Sequence, residues 1–144
     1  MSLPDPVPGL VIRHGFLWAA DAARGQDAGK ERPSVIVMAL KPAGSNATRT
    51  YVLPITHSAP DDKVEAMKIP DSVAASAGLD AAQSWVVLSD FNEFIWPGFD
   101  LGIVPGRNPR TVAHGFLTAG FFNRLRDRWL ELDAKGKSTG VSRD

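Results

Sequence analysis

Arg32-Pro33-Ser34-Val35-Ile36-Val37-Met38-Ala39-Leu40 contains the longest apolar run of the chain, Val35 to Leu40. A nearly continuous, β-branched stretch reads as a strand buried on both faces, because a half-exposed strand would alternate apolar with polar residues. Lys41-Pro-Ala-Gly-Ser-Asn46, rich in turn residues, follows as a hairpin-type connection. Thr48 to Ile55 then returns as a second strand, with Pro54 near its end, where a missing ladder donor matters least.

Working outward, Pro4, Pro6 and Pro8 before Gly9 exclude a helix and suit an extended lead-in over 1–9. Leu10-Val11-Ile12 is a short strand, and Gly15 to Glu31 reads as a loop with a helical turn around Trp18 to Arg24. Downstream, Val64 to Ile69 is a short half-buried strand. Pro70-Asp71 opens a brief helix over Ser72 to Ala77, with Asp71 as its cap and Gly78 as its stop. Ser84 to Ile95 is the longest strand-like stretch; it bends at Ser89-Asp90 and ends at Pro97-Gly98. Leu101 to Pro105 gives one more short strand. Thr118 stands as N-cap to a helix whose apolar residues Phe121, Phe122, Leu125, Trp129 and Leu132 keep helical spacing. Past Asp133 the apolar content drops, so 133–144 reads as a disordered tail. Short, locally connected strands closed by one amphipathic helix predict a mainly β (α+β) fold, a small β-barrel in a single domain over 10–132.

With 144 residues, 44% of them hydrophobic, the chain supports one core. Lys plus Arg and Asp plus Glu each number 16, so the formal charge is zero and an anion site must be local. The absence of cysteine excludes disulfides, thiolate metal sites and cysteine nucleophiles, and three His leave little for metal chemistry, so neither metal nor cofactor is expected. The amino end lacks the basic-then-apolar order of a secretory signal. Val35 to Leu40 is far short of the roughly 20 residues that span a bilayer. These features point to a cytoplasmic protein with no membrane partner.

Most chemistry-like signals have simpler readings. Gly25-Gln-Asp-Ala-Gly29-Lys30-Glu31 has the wrong spacing for a phosphate loop, with Glu31 where a magnesium-ligating hydroxyl belongs. Asn46-Ala47-Thr48 is a turn. Asp61, Asp62, Asp90 and Glu93 are of a type that serves acid–base work, but scattered acids read more simply as solvated faces. Arg124, Arg126 and Arg128 interleave with Asp127 and Glu131 as exposed ion pairs. His14 and His114 read as structural. Two places stand out. Arg32, before Pro33 at the mouth of the buried strand, suits bidentate phosphate binding, with capping of loop carbonyls as the alternative. Thr56-His57-Ser58 presents two hydroxyls and an imidazole at a strand end, a pattern suited to proton transfer near neutral pH or simply to an exposed turn.

At these two places the sequence resembles the PemK/MazF-like toxins of bacterial toxin–antitoxin modules. The matching stretches are Gly29-Lys30-Glu31-Arg32-Pro33-Ser34-Val35-Ile36-Val37, Val52-Leu53-Pro54-Ile55-Thr56-His57, Gly78-Leu79 followed by Ser84-Trp85-Val86-Val87-Leu88, and the helix from Ala119. They run in the family's order over roughly residues 9 to 132. The resemblance implies an SH3-like β-barrel, a homodimer, single-stranded RNA as substrate, a cognate antitoxin as inhibitor, and metal-independent cleavage leaving a 2′,3′-cyclic phosphate and a 5′-hydroxyl. Arg32 and Thr56 match family active-site positions. His57, where the family usually has Ser, is assigned acid–base work from chemistry alone.

The family's Asp-Gln-apolar-Arg segment is replaced by Ser89-Asp90-Phe91-Asn92, so its second arginine is missing. Asn92 or Glu93 is left to stand in, although neither supplies that charge; Phe91, Phe94 and Trp96 either stack on bases or pack core or dimer surface, and Ser58 joins the RNA contacts. Without that arginine the competing reading is a catalytically impaired RNA- or protein-binding module. A third reading, a toxin that grips gyrase through the end of its last helix, fits a chain ending in a Gly/Ser/Lys tail least well.

Overall fold

The computed structural model describes residues 2–80 and 83–144; Met1, part of the expected lead-in, lies outside them. Strand β1 (Leu10–Phe16) is followed by helix α1 (Ala19–Ala23) and by strands β2 (Lys30–Leu40), β3 (Arg49–Thr56) and β4 (Ala66–Ile69). Helix α2 (Asp71–Ser76) leads to β5 (Ser84–Val87), β6 (Asp90–Ile95) and β7 (Ala113–Phe116). Helix α3 (Ala119–Ala134) and strand β8 (Thr139–Ser142) complete the order.

The period-2 alternation of β1, β2 and β3 explains why their sequences are apolar throughout. One set of side chains, Val11, Val35, Val37, Leu53 and Ile55, packs against Phe121, Phe122, Leu125, Trp129 and Leu132 of α3. The intervening set, Leu10, Ile12, Phe16, Ile36 and Val52, closes a second cluster with Phe94. The helical spacing predicted for α3 is thus the spacing of its buried face.

The ladder β7-β1-β2-β3 is antiparallel throughout, and β3 then serves two partners. Arg49 to Val52 pair with β6, whereas Ile55 and Thr56 pair with β5, which in turn holds β4. Pro54, with no amide hydrogen, sits where β3 exchanges β6 for β5. The fork divides the expected single strand over 84–95 into two, and Leu88 at the break donates its N–H to the Glu65 carbonyl instead, at 2.8 Å. Among the described strands the pairing remains open, with β7 and β4 at the two ends of the main path.

Other differences have local causes. Leu101 to Pro105 forms no strand, only a single bridge from Leu101 to His14, because Pro105 and Gly106 turn the chain away. β7 takes the outer edge of β1 in its place. Asp71 is the first helical residue of α2, not its cap; Pro70 occupies the cap position. Thr118 does precede α3, without a side-chain capping bond. The expected disordered tail contains β8, which runs parallel to β6. Ser138 Oγ donates to the Leu88 carbonyl at 2.7 Å and accepts from Trp129 Nε1 at 3.1 Å. Gly140 lies flat on Phe91, where a Cβ would come within 2.3 Å of the ring. No helix among the described residues is long and apolar enough to cross a membrane.

Candidate active-site cleft

In the β2–β3 ladder Ser34 faces Pro54 and Val35 faces Leu53. Two residues further along the same register, Arg32 falls opposite Thr56, and the pleat gives both the same face. They line an open cleft of about 750 Å³ together with Trp18, Lys30, His57, Ser58 and Asp90. β2 and β3 supply the floor, α1 and its preceding residue one wall, and the break between β5 and β6 the other.

The Arg32 guanidinium lies over the Trp18 ring, 5.4 Å from its centroid, and its buried Nε has no hydrogen-bond partner among the described residues. Burial, and then the neighbouring charge of Arg13, lower its pKa below the ordinary arginine value, though far from enough to discharge it at neutral pH. The charge pressing on Arg32 is thus a second cation. Packing holds this guanidinium in place with a donor unspent, and an entering oxyanion would relieve both the repulsion and the unmade bond.

Thr56 Oγ1 donates to the Ser58 carbonyl at 3.1 Å, a local bond that turns the chain as β3 ends. The turn presents His57 outward. Its exposed imidazole borders the main cleft and two smaller cavities of about 180 and 210 Å³. Asp90 accepts the Ala19 N–H at 2.8 Å, so it does for α1 what no capping side chain of that helix does. Burial raises its pKa against the opposing effect of that bond.

Arg32, Thr56, His57 and Ser58 are therefore brought together as the sequence predicts. Asn92, Glu93 and Phe91 are not, because β6 leads away from the cleft after Asp90. Asn92 is fully buried: its Oδ1 accepts from Leu17 N at 3.0 Å and from His14 Nε2 at 3.1 Å, and its Nδ2 donates to the Leu17 carbonyl at 2.7 Å. It clamps β6 to the end of β1. Glu93 pairs with Arg49 at 3.4 Å. Phe91 packs edge-on to Trp129, with ring centroids 5.4 Å apart.

Arg13, Lys30 and Asp90 are the additions. Arg13 stands opposite Pro33 in the β1–β2 ladder and lines both smaller cavities; its one ion pair, to Glu31, is 3.4 Å long. Continuing the Leu10-Val11-Ile12 alternation by one residue would have signalled it. Asp90 carries no local signal, since its place depends on the fork at β3. Among the described residues, no group of three or more His, Asp or Glu is placed to hold a metal ion. Comparison of the chain with family models, with curated proteins and with solved structures gives no match.

Proposed function

We propose that this protein is a PemK/MazF-like endoribonuclease, the toxin of a toxin–antitoxin pair, cutting single-stranded RNA by attack of a 2′-hydroxyl on the adjacent phosphate. The observation that carries the reading is Arg32: a half-buried cation with an unspent donor, lining the 750 Å³ cleft together with Thr56 and His57. In-line attack needs a group to take the 2′-hydroxyl proton, one to protonate the leaving 5′-oxygen, and positive charge on the phosphorane between them. Arg32 binds and neutralises the phosphoryl oxygens. Thr56 contributes its hydroxyl to the same oxygens, His57 takes the 2′-hydroxyl proton, and water in the open cleft protonates the leaving 5′-oxygen. Arg13, on the neighbouring strand, supplies the second positive charge that the family carries elsewhere, with Lys30 at the opening.

The fork at β3 and the packing of α3 across the sheet support an SH3-like barrel as the underlying architecture. A homodimer, a cognate antitoxin and a cytoplasmic setting belong to the same proposal and rest on the resemblance. A second reading, RNA binding without cleavage, is favoured by one contact: the Thr56 hydrogen is already committed to Ser58. A long unstructured RNA separates the two. Products ending in 2′,3′-cyclic phosphate and 5′-hydroxyl, with a 2′-O-methyl RNA left intact, are expected of the nuclease; binding with both RNAs intact would establish the module.

A further inference from the structure

We propose that the 210 Å³ cavity on the far side of His57 is a nucleobase pocket that selects guanine next to the reactive phosphate. The inference rests on the ribonuclease reading for its place in the reaction, but it is tested separately. Pro33, Leu79 and Val104 give the cavity apolar walls, while Arg13, Asp80, Arg107 and His114 supply its polar edge. Its volume is below the about 300–1,000 Å³ of drug-sized ligand sites and suits one ring system.

The pocket is preformed. Arg107 donates to the carbonyls of Gly78 and His114, each at 3.1 Å, which fixes the guanidinium as part of the wall. Gly78 has φ +70°, and a Cβ there would come within 2.2 Å of the His114 carbonyl oxygen, so only glycine lets the two segments meet. His114 Nε2 is buried and has no partner among the described residues. Buried polar atoms are almost always satisfied, so an orphaned one behind a cavity wall singles this cavity out. Burial, reinforced by Arg13 and Arg107 and opposed by Asp80, brings the His114 pKa down to about 4, so the ring is neutral at pH 7.

Guanine fits this set of groups. Its O6 and N7 are both acceptors and match an arginine, while its N1–H and 2-amino group are donors and match the Asp80 carboxylate. Adenine would turn its 6-amino donor toward the arginines and has no donor at N1. Pyrimidines lack the N7 acceptor. Placement beside the reaction centre follows from shared walls: His57 and Arg13 line both smaller cavities, and Arg32, Thr56 and His57 continue from the second of these into the main cleft.

Titration calorimetry with the 3′-monophosphates of guanosine, adenosine, cytidine and uridine, on the whole protein and on Asp80→Asn, tests the pocket without requiring turnover. Guanosine 3′-monophosphate is expected to bind about tenfold more tightly than the other three, toward the low end of the discrimination given by one bidentate contact. Asp80 is exposed at the rim, and circular dichroism of Asp80→Asn is expected to match the parent while the guanine preference disappears. Equal affinity for all four nucleotides, or an unchanged preference in Asp80→Asn, overturns the pocket. Mapping RNA cuts separates the two proposals: cleavage with no guanine beside the cut overturns the pocket alone, whereas guanine-selective binding by a protein that cuts no RNA overturns the nuclease alone.

Discussion

Arg32 and Asn92 are both polar residues set in apolar strands, and burial separates their roles. Asn92 has no exposed surface and satisfies Leu17 and His14. Asn92→Ala is expected to cost at least about 3 kcal/mol in denaturant unfolding, about 1–3 for each of the three buried groups left unpaired, while RNA affinity per folded molecule stays unchanged. A selective loss of RNA binding at unaltered stability would contradict this. His14 and His114 set the pH response. Burial lowers both pKa values from 6.5, that of His114 to about 4. Between those values the unfolded chain binds protons that the folded one refuses, so stability is full above about pH 6.5 and is lost as pH falls toward 4. Asp90, with its raised pKa, acts in the opposite sense in the acid range. Thermal melts are expected to show Tm falling from pH 7 to 4.5, with a smaller fall in His114→Gln; an identical fall in that variant would mean His114 is already protonated in the native state.

Elements differ in what holds them, and that decides which were legible beforehand. α3, β2 and β3 are apolar on a fixed period, so their sequences announce them. β7 (Ala-His-Gly-Phe) and β8 (Thr-Gly-Val-Ser) carry almost no buried apolar surface and are held by main-chain pairing to β1 and β6. Nothing in such tetrapeptides distinguishes a strand from a loop. The tail is nonetheless well fastened: Ser138 bridges Trp129 and Leu88, Arg143 pairs with Asp100 at 3.1 Å, and Asp144 accepts the Ile95 N–H at 2.7 Å. Deleting residues 138–144 is expected to lower Tm and to change the emission of Trp129, whose buried indole N–H loses its acceptor at about 1–3 kcal/mol. An unchanged melt would show that the tail contributes nothing to the fold.

At the scale of the whole molecule, zero net charge means that any anion site must be local, and the fold gathers Arg13, Lys30 and Arg32 around His57. Half of that site was legible: Arg32 beside Pro33 and Thr56-His57-Ser58 at a strand end are local patterns. Arg13 comes from strand pairing, one residue past the apolar Leu10-Val11-Ile12, and Asp90 from the partner exchange at β3, which no neighbour in sequence betrays. The placement of Asn92 away from the cleft has the same origin, since two residues along β6 separate the cleft wall from the core. The central claim is that Arg32 stabilises a phosphorane. Single-turnover cleavage of a long unstructured RNA in excess EDTA, by the wild type and by Arg32→Ala with the 5′ ends mapped, tests it most directly. Discrete cuts bearing 5′-hydroxyls, slowed about 10²- to 10³-fold in the variant, are the expected result; intact RNA with the wild type, or equal rates in both, would contradict the account.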